Sequence, residues 1–104
     1  MQIEITADNF AEEVEQATGT VLLDFWAPWC GYCRMVEPQL EELAAEWQAA
    51  GKELTIGKIN VDEQTELADK FEVQGIPLLV VYRDGAEINR AAGFRPKEGI
   101  EELL

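Results

Sequence analysis

The chain has 104 residues, 47% of them apolar and 28% charged, the balance of one folded domain with a substantial core and too little length for two. Eight basic residues against 21 acidic ones leave a net charge of -13, which disfavours nucleic acid and anionic membranes as partners and reads as a device for solubility. No apolar run approaches the ~20 residues of a membrane helix, and the N-terminus has no signal-peptide pattern, so a single domain over 1–104 in the cytoplasm is expected.

Ile3 and Ile5 alternate with Glu4 and Thr6 as in a short strand. Thr6 or Asp8 is placed to cap a helix whose Phe10, Val14 and Ala17 share one face, and Thr18-Gly19 ends it. Residues 21–26 are almost continuously apolar, the pattern of a central strand covered on both faces. After the turn Ala27-Pro28-Trp29 a long helical pattern runs to about Ala50, with Met35, Val36, Leu40, Leu43, Ala44 and Trp47 on one stripe. Pro38 lies inside that pattern and is expected to kink it, and Gly51 stops it. Residues 54–61 read as a third strand and 63–71 as a short helix. Residues 77–82 and 86–92 are two strands joined through Arg83-Asp84-Gly85, and Pro96 opens a last helix carrying Ile100, Leu103 and Leu104. The order βαβαβα followed by ββα predicts an α/β fold: a mixed central sheet flanked by helices on both faces.

The two cysteines, Cys30 and Cys33, stand three apart where the turn gives way to the long helix. Helical neighbours at that spacing have Cβ atoms about 5–6 Å apart, close enough for a slightly tightened first turn to alternate between dithiol and disulfide. Cys30 falls near the N-cap, where free N–H groups and the positive dipole end favour a thiolate, the nucleophilic form. Cys33 faces inward. The expected chemistry is attack by Cys30 on a substrate disulfide and resolution of the mixed disulfide by Cys33. The same C-x-x-C spacing serves zinc ribbons, but with no histidine in the chain a metal needs ligands shared between two chains. Neither a metal nor another cofactor is expected beyond the redox-active Cys30–Cys33 pair.

Asp24 is the one charged side chain in its apolar strand. Burial would either raise its pKa or demand a partner, for which Lys58 on the next strand is the natural choice. The residues alone favour a solvated strand end for Asp24 and a surface position for Lys58.

The run Asp24-Phe25-Trp26-Ala27-Pro28-Trp29-Cys30-Gly31-Tyr32-Cys33, with Pro38, Lys58, Asp62, Gly75-Ile76-Pro77, Gly85 and Gly93, resembles the thioredoxin family over essentially the whole chain. The resemblance implies the thioredoxin fold, reduction of disulfide-containing protein substrates, regeneration by a thioredoxin reductase and a monomeric chain. It also implies that Asp24 and Lys58 lie behind the dithiol and handle protons for the buried cysteine. Ile76-Pro77 matches the family's cis Ile-Pro, which leaves the Ile76 backbone free to pair with an extended substrate. Trp29, Gly31, Tyr32, Ile76, Pro77, Ala92 and Gly93 become a substrate-binding patch around Cys30, and Trp26 a packing residue beneath it.

Tyr32 departs from the family, which usually has proline there. Its N–H, absent from proline, can point at the Cys30 sulfur, stabilise the reduced form and make the dithiol more oxidising. The competing readings are accordingly a specialised oxidant or isomerase, and a non-enzymatic module using the same patch.

Overall fold

The apolar run around residues 21–26 becomes the middle of a five-stranded sheet in the computed structural model of the chain, which describes residues 2–104. In chain order the elements are β1 (Gln2–Glu4), a π-helical turn (Ala11–Glu15), β2 (Thr20–Trp26), α1 (Gly31–Ala49), β3 (Leu54–Asn60), α2 (Thr65–Lys70), β4 (Leu78–Arg83), β5 (Ala86–Ala92) and α3 (Lys97–Glu101). The sheet order is β1-β3-β2-β4-β5. β3 pairs in parallel with both β1 and β2, whereas β4 runs antiparallel to β2 and β5. This is the mixed α/β sheet expected, with helical segments on both faces.

Alternation along β2 divides the core. Val21, Leu23 and Phe25 pack with Phe10 and Val14 of the π-helical segment and with Leu67 and Phe71 on one face. Leu22 packs with Val36, Leu40 and Leu43 of α1 and with Ile100 and Leu103 on the other. Helical segments therefore cover both faces, and β2 is apolar apart from Thr20 and Asp24 because neither face meets water. Asp24 shares the α1 face with Leu22, two residues along the pleat.

α1 continues through Pro38 as one helix. It ends on Gly51, whose φ of 77° lets Gly51 N–H reach the Gln48 carbonyl at 3.0 Å and Lys52 N–H the Trp47 carbonyl at 2.9 Å, a Schellman closure. At the β4–β5 hairpin Gly85 has φ 84°, and a Cβ there would stand 2.3 Å from the Glu15 carbonyl oxygen.

Three expectations are corrected. The first helix is a single wide turn, closed by Gln16 N–H on the Ala11 carbonyl at 2.9 Å. Neither Thr6 nor Asp8 caps it; the Asn9 amide instead accepts from Thr6 N–H at 2.8 Å and donates to the Glu4 carbonyl at 2.9 Å. Met35 leaves the apolar stripe of α1 and is exposed, since the sheet covers only the narrower face of Val36, Leu40 and Leu43.

Candidate active site

The sulfurs of Cys30 and Cys33 are bonded across the first turn of α1, with Cα atoms 5.3 Å apart. Cys30 is the N-cap, with extended backbone (φ -87°, ψ 110°), and its Sγ accepts the Cys33 N–H at 3.2 Å. The donor is thus the N3 amide. Tyr32 N–H, at N2, has no hydrogen-bond partner among the described residues. The bond expected from Tyr32 N–H is one to the Cys30 thiolate, and the pair here is the disulfide. Arg34, next along the helix, donates from Nη1 to the Pro28 carbonyl at 2.7 Å and ties the approach loop to the helix.

The pair is set into an apolar seat of Ala27, Trp26, Val61 and Ile76. Cys30 keeps 7% of its surface and Cys33 2%, so Cys30 is the more reachable sulfur. Around it stand Trp29 and Tyr32, 68% and 63% exposed. Trp29 is held by Nε1 donating to Asp62 Oδ2 at 3.0 Å.

The Ile76-Pro77 bond is cis, and the Ile76 carbonyl oxygen lies 3.9 Å from Cys30 Sγ. Gly93 N–H donates to the Pro77 carbonyl at 2.8 Å, and Ala92 pairs with Leu78 in the β4–β5 ladder. Ile76 is thereby brought directly to the dithiol. Ala92 and Gly93 are brought to Pro77, and Gly31 is exposed in the first turn of α1.

Asp24 is fully buried, which overturns the solvated strand end that its residue type favours. It pairs in register with Lys58 of β3 on one side and with Leu79 of β4 on the other. Lys58 Nζ approaches Asp24 Oδ2 to 3.4 Å, a charge contact without hydrogen-bond geometry, so both carboxylate oxygens lack a donor among the described residues. Desolvation raises the Asp24 pKa from 3.8 to about 6; Lys58 opposes that rise and Glu37 adds to it. Lys58 is also mostly buried, donates to Glu37 Oε2, and lies 4.8 Å from the centroid of the Trp26 ring. Trp26 is therefore the packing residue expected beneath the dithiol and one wall of the lysine's cage as well.

Glu37 is the member of this cluster that the sequence reading missed. Its place four residues beyond Cys33 on α1 was the available signal, because i and i+4 side chains share a helix face. In the sequence Asp62 carries only its family match, and its hold on Trp29 follows from geometry. A groove of about 330 Å³, lined by Trp26, Cys33, Arg34, Glu37, Pro38 and Glu41, runs along the buried cysteine. Among the described residues no group of three or more Cys, Asp or Glu side chains is arranged to hold a metal ion. No helix among them is long and apolar enough to cross a membrane.

The family model for thioredoxin matches residues 1–104. A thioredoxin of Bacillus subtilis (strain 168) is 46% identical over 102 residues, covering 98% of this chain and 93% of the relative. Thioredoxins of Staphylococcus haemolyticus (strain JCSC1435) and Staphylococcus aureus (strain N315) are each 43% identical over the same length, with the same coverage.

Proposed function

The chain belongs to the thioredoxin family, and from that we propose a protein-disulfide reductase in which Cys30 attacks and Cys33 resolves. Dithiol–disulfide exchange and a role in cell redox balance come with the family and with the Cys30–Cys33 pair. The assignment of the two thiols rests on one observation: Cys30 caps α1, so its sulfur sits against the unsatisfied N–H groups of the helix N-terminus. A thiolate there is stabilised, and it attacks a substrate disulfide, joins one substrate sulfur to Cys30 and expels the other as thiolate. Cys33 then gives up its proton, attacks the Cys30 sulfur and releases the second substrate thiolate. Two electrons have passed to the substrate, and the chain is left as the disulfide seen here.

Asp24, on the α1 face of the sheet behind the dithiol, takes the Cys33 proton in this reading, and Lys58 moderates its charge. Trp29, Gly31, Tyr32, Ile76, Pro77, Ala92 and Gly93 form the docking patch. An extended substrate segment lies along Ile76, whose carbonyl oxygen is already 3.9 Å from the attacking sulfur. One chain of 104 residues acts as a monomeric cytoplasmic domain, re-reduced by a thioredoxin reductase.

The test is reduction of a protein disulfide with excess dithiothreitol as electron source. Wild type should accelerate it catalytically and Cys30→Ser should not. Equal rates from the two would exclude the reductase. A dithiol potential well above that of glutathione would favour an oxidant or isomerase, the reading that Tyr32 raises.

A further inference from the structure

Lys58 is shared. It is the only cation ion-paired to Asp24 among the described residues, yet its ammonium is also bound by Glu37 Oε2 and stands over the Trp26 ring. Glu37 comes from α1, four residues beyond Cys33, and lines the groove that runs along Cys33. It also lines a second groove of about 400 Å³ on the other side of Trp26, together with Glu4, Lys58, Asn60 and Glu63. The charged groups around the cluster are therefore Glu4 of β1, Lys58 of β3, Glu63 beyond it, and Arg34, Glu37 and Glu41 of α1. β4 presents uncharged Leu79 in the Asp24 register. Of the carboxylates other than Asp24 among the described residues, only Glu37 holds the ammonium.

We propose that Glu37 is a positioning residue for the proton step at Cys33: it draws the Lys58 ammonium away from Asp24 and leaves the buried carboxylate under-compensated. The inference rests on the reading of Asp24 as the group that takes the Cys33 proton. A carboxylate fully neutralised by its own lysine is too weak a base to accept a proton from a thiol, whose ordinary pKa is about 8.5. Dividing the lysine between two carboxylates strengthens the buried one as a base. Glu37 itself neither forms nor breaks a bond. In the resolving step the proton leaves Cys33 for Asp24 and then for solvent, while the Cys33 electron pair forms the disulfide and the substrate sulfur departs with its own pair. The direction agrees with the rise that Glu37 contributes to the Asp24 pKa.

The experiment follows the Asp24 side-chain carboxyl by carbon-13 NMR across pH, alongside the pH profile of turnover, in wild type, Glu37→Gln, Asp24→Asn and the double variant. Glu37→Gln keeps an oxygen acceptor for Lys58 and removes the competing charge. It should move the Asp24 midpoint down by about half a unit to one unit, and move the acid limb of turnover with it. In the Asp24→Asn background the same substitution should leave the profile unmoved. An Asp24 midpoint that stays or rises in Glu37→Gln overturns the proposal, as does a profile shift that persists without Asp24. If Asp24→Asn alone leaves the wild-type profile intact, the proton role of Asp24 falls and the proposal with it. A changed profile in Asp24→Asn with none in Glu37→Gln defeats only the role of Glu37.

Discussion

Asp24 and Lys58 face one another in the parallel β2–β3 register, yet the carboxylate has no hydrogen-bond donor among the described residues and meets the ammonium only at 3.4 Å. A buried carboxylate so placed destabilises the fold whenever it is charged. In the proposed mechanism that burden has a use, since Asp24 is the group that accepts the Cys33 proton close to neutral pH.

Asp24→Asn should therefore stabilise the protein in a pH-dependent way. The folded-state pKa of about 6 lies above the ordinary 3.8, so the unfolded chain releases this proton first. Stability contributed by the site is complete below pH 4, declines between about pH 4 and 6, and stays low above that. Two pKa units correspond to about 3 kcal/mol, and the asparagine leaves Lys58 with Glu37 alone, so a gain of about 2 kcal/mol at pH 8 is expected. Urea unfolding of both proteins at pH 4 and pH 8 checks this; a gain of equal size at both would mean that charge burial is not its cause. Turnover should slow near neutral pH in the same variant.

Cys33→Ser should accumulate a covalent complex with a disulfide substrate, because Cys30 still attacks and nothing resolves. Cys30→Ser should accumulate none. Non-reducing electrophoresis after exposure to an oxidised protein substrate distinguishes them, and complexes with Cys30→Ser in place of Cys33→Ser would exchange the two roles.

Tyr32→Pro should make the dithiol more reducing. The Cys33 amide already binds the Cys30 sulfur in the disulfide, and Tyr32 N–H is the neighbouring donor left for a thiolate. A hydrogen bond to a charged group is worth about 1.5–3 kcal/mol. For a two-electron couple 1.5 kcal/mol is about 30 mV, and the exposure of Tyr32 places the expected drop at that lower end. Equilibration with glutathione buffers reads the potential. A potential that is unchanged or higher would leave Tyr32 as a substrate contact only.

The order of strands and helices was legible because apolar spacing registers burial one element at a time. Residues 21–26 announced a strand covered on both faces, and Val36, Leu40 and Leu43 the buried side of α1. What periodicity does not carry is which charges meet across the fold. Asp24 alone reads as solvated, because its burial depends on α1 docking over it. Glu37 reads as one more surface glutamate, because its partner Lys58 lies 21 residues away on a different element. The π-helical turn was missed for a related reason: Phe10 and Val14 keep a helical spacing, and the Asn9 amide bonds that shape the entry to the turn are local geometry invisible to hydrophobic pattern. Ile76-Pro77 beside the dithiol came from family resemblance and not from the residues themselves.

Gly85→Ala should destabilise the fold by about 2–4 kcal/mol while leaving the dithiol potential unchanged. The methyl group would meet the Glu15 carbonyl oxygen at 2.3 Å on a backbone with φ 84°, combining left-handed strain with overpacking. The hairpin follows Arg83, which pairs with Thr20 at the end of β2 opposite the cysteines. Chemical denaturation gives the first quantity and glutathione equilibration the second; a shifted potential would reveal a coupling along β2 that the packing does not suggest.

Cys30 and Cys33 occupy the N-cap and third position of α1, and the body of that helix is fastened to the sheet by Val36, Leu40 and Leu43. The electrons thus come and go at the tip of an element whose shaft is immobilised. A helix so anchored leaves little room for heavy-atom rearrangement around the pair, so the loaded carrier should keep nearly the silhouette of the unloaded one. A partner must tell them apart by the reactivity of a single sulfur, and selectivity among partners has to be written into the surface that carries them to it.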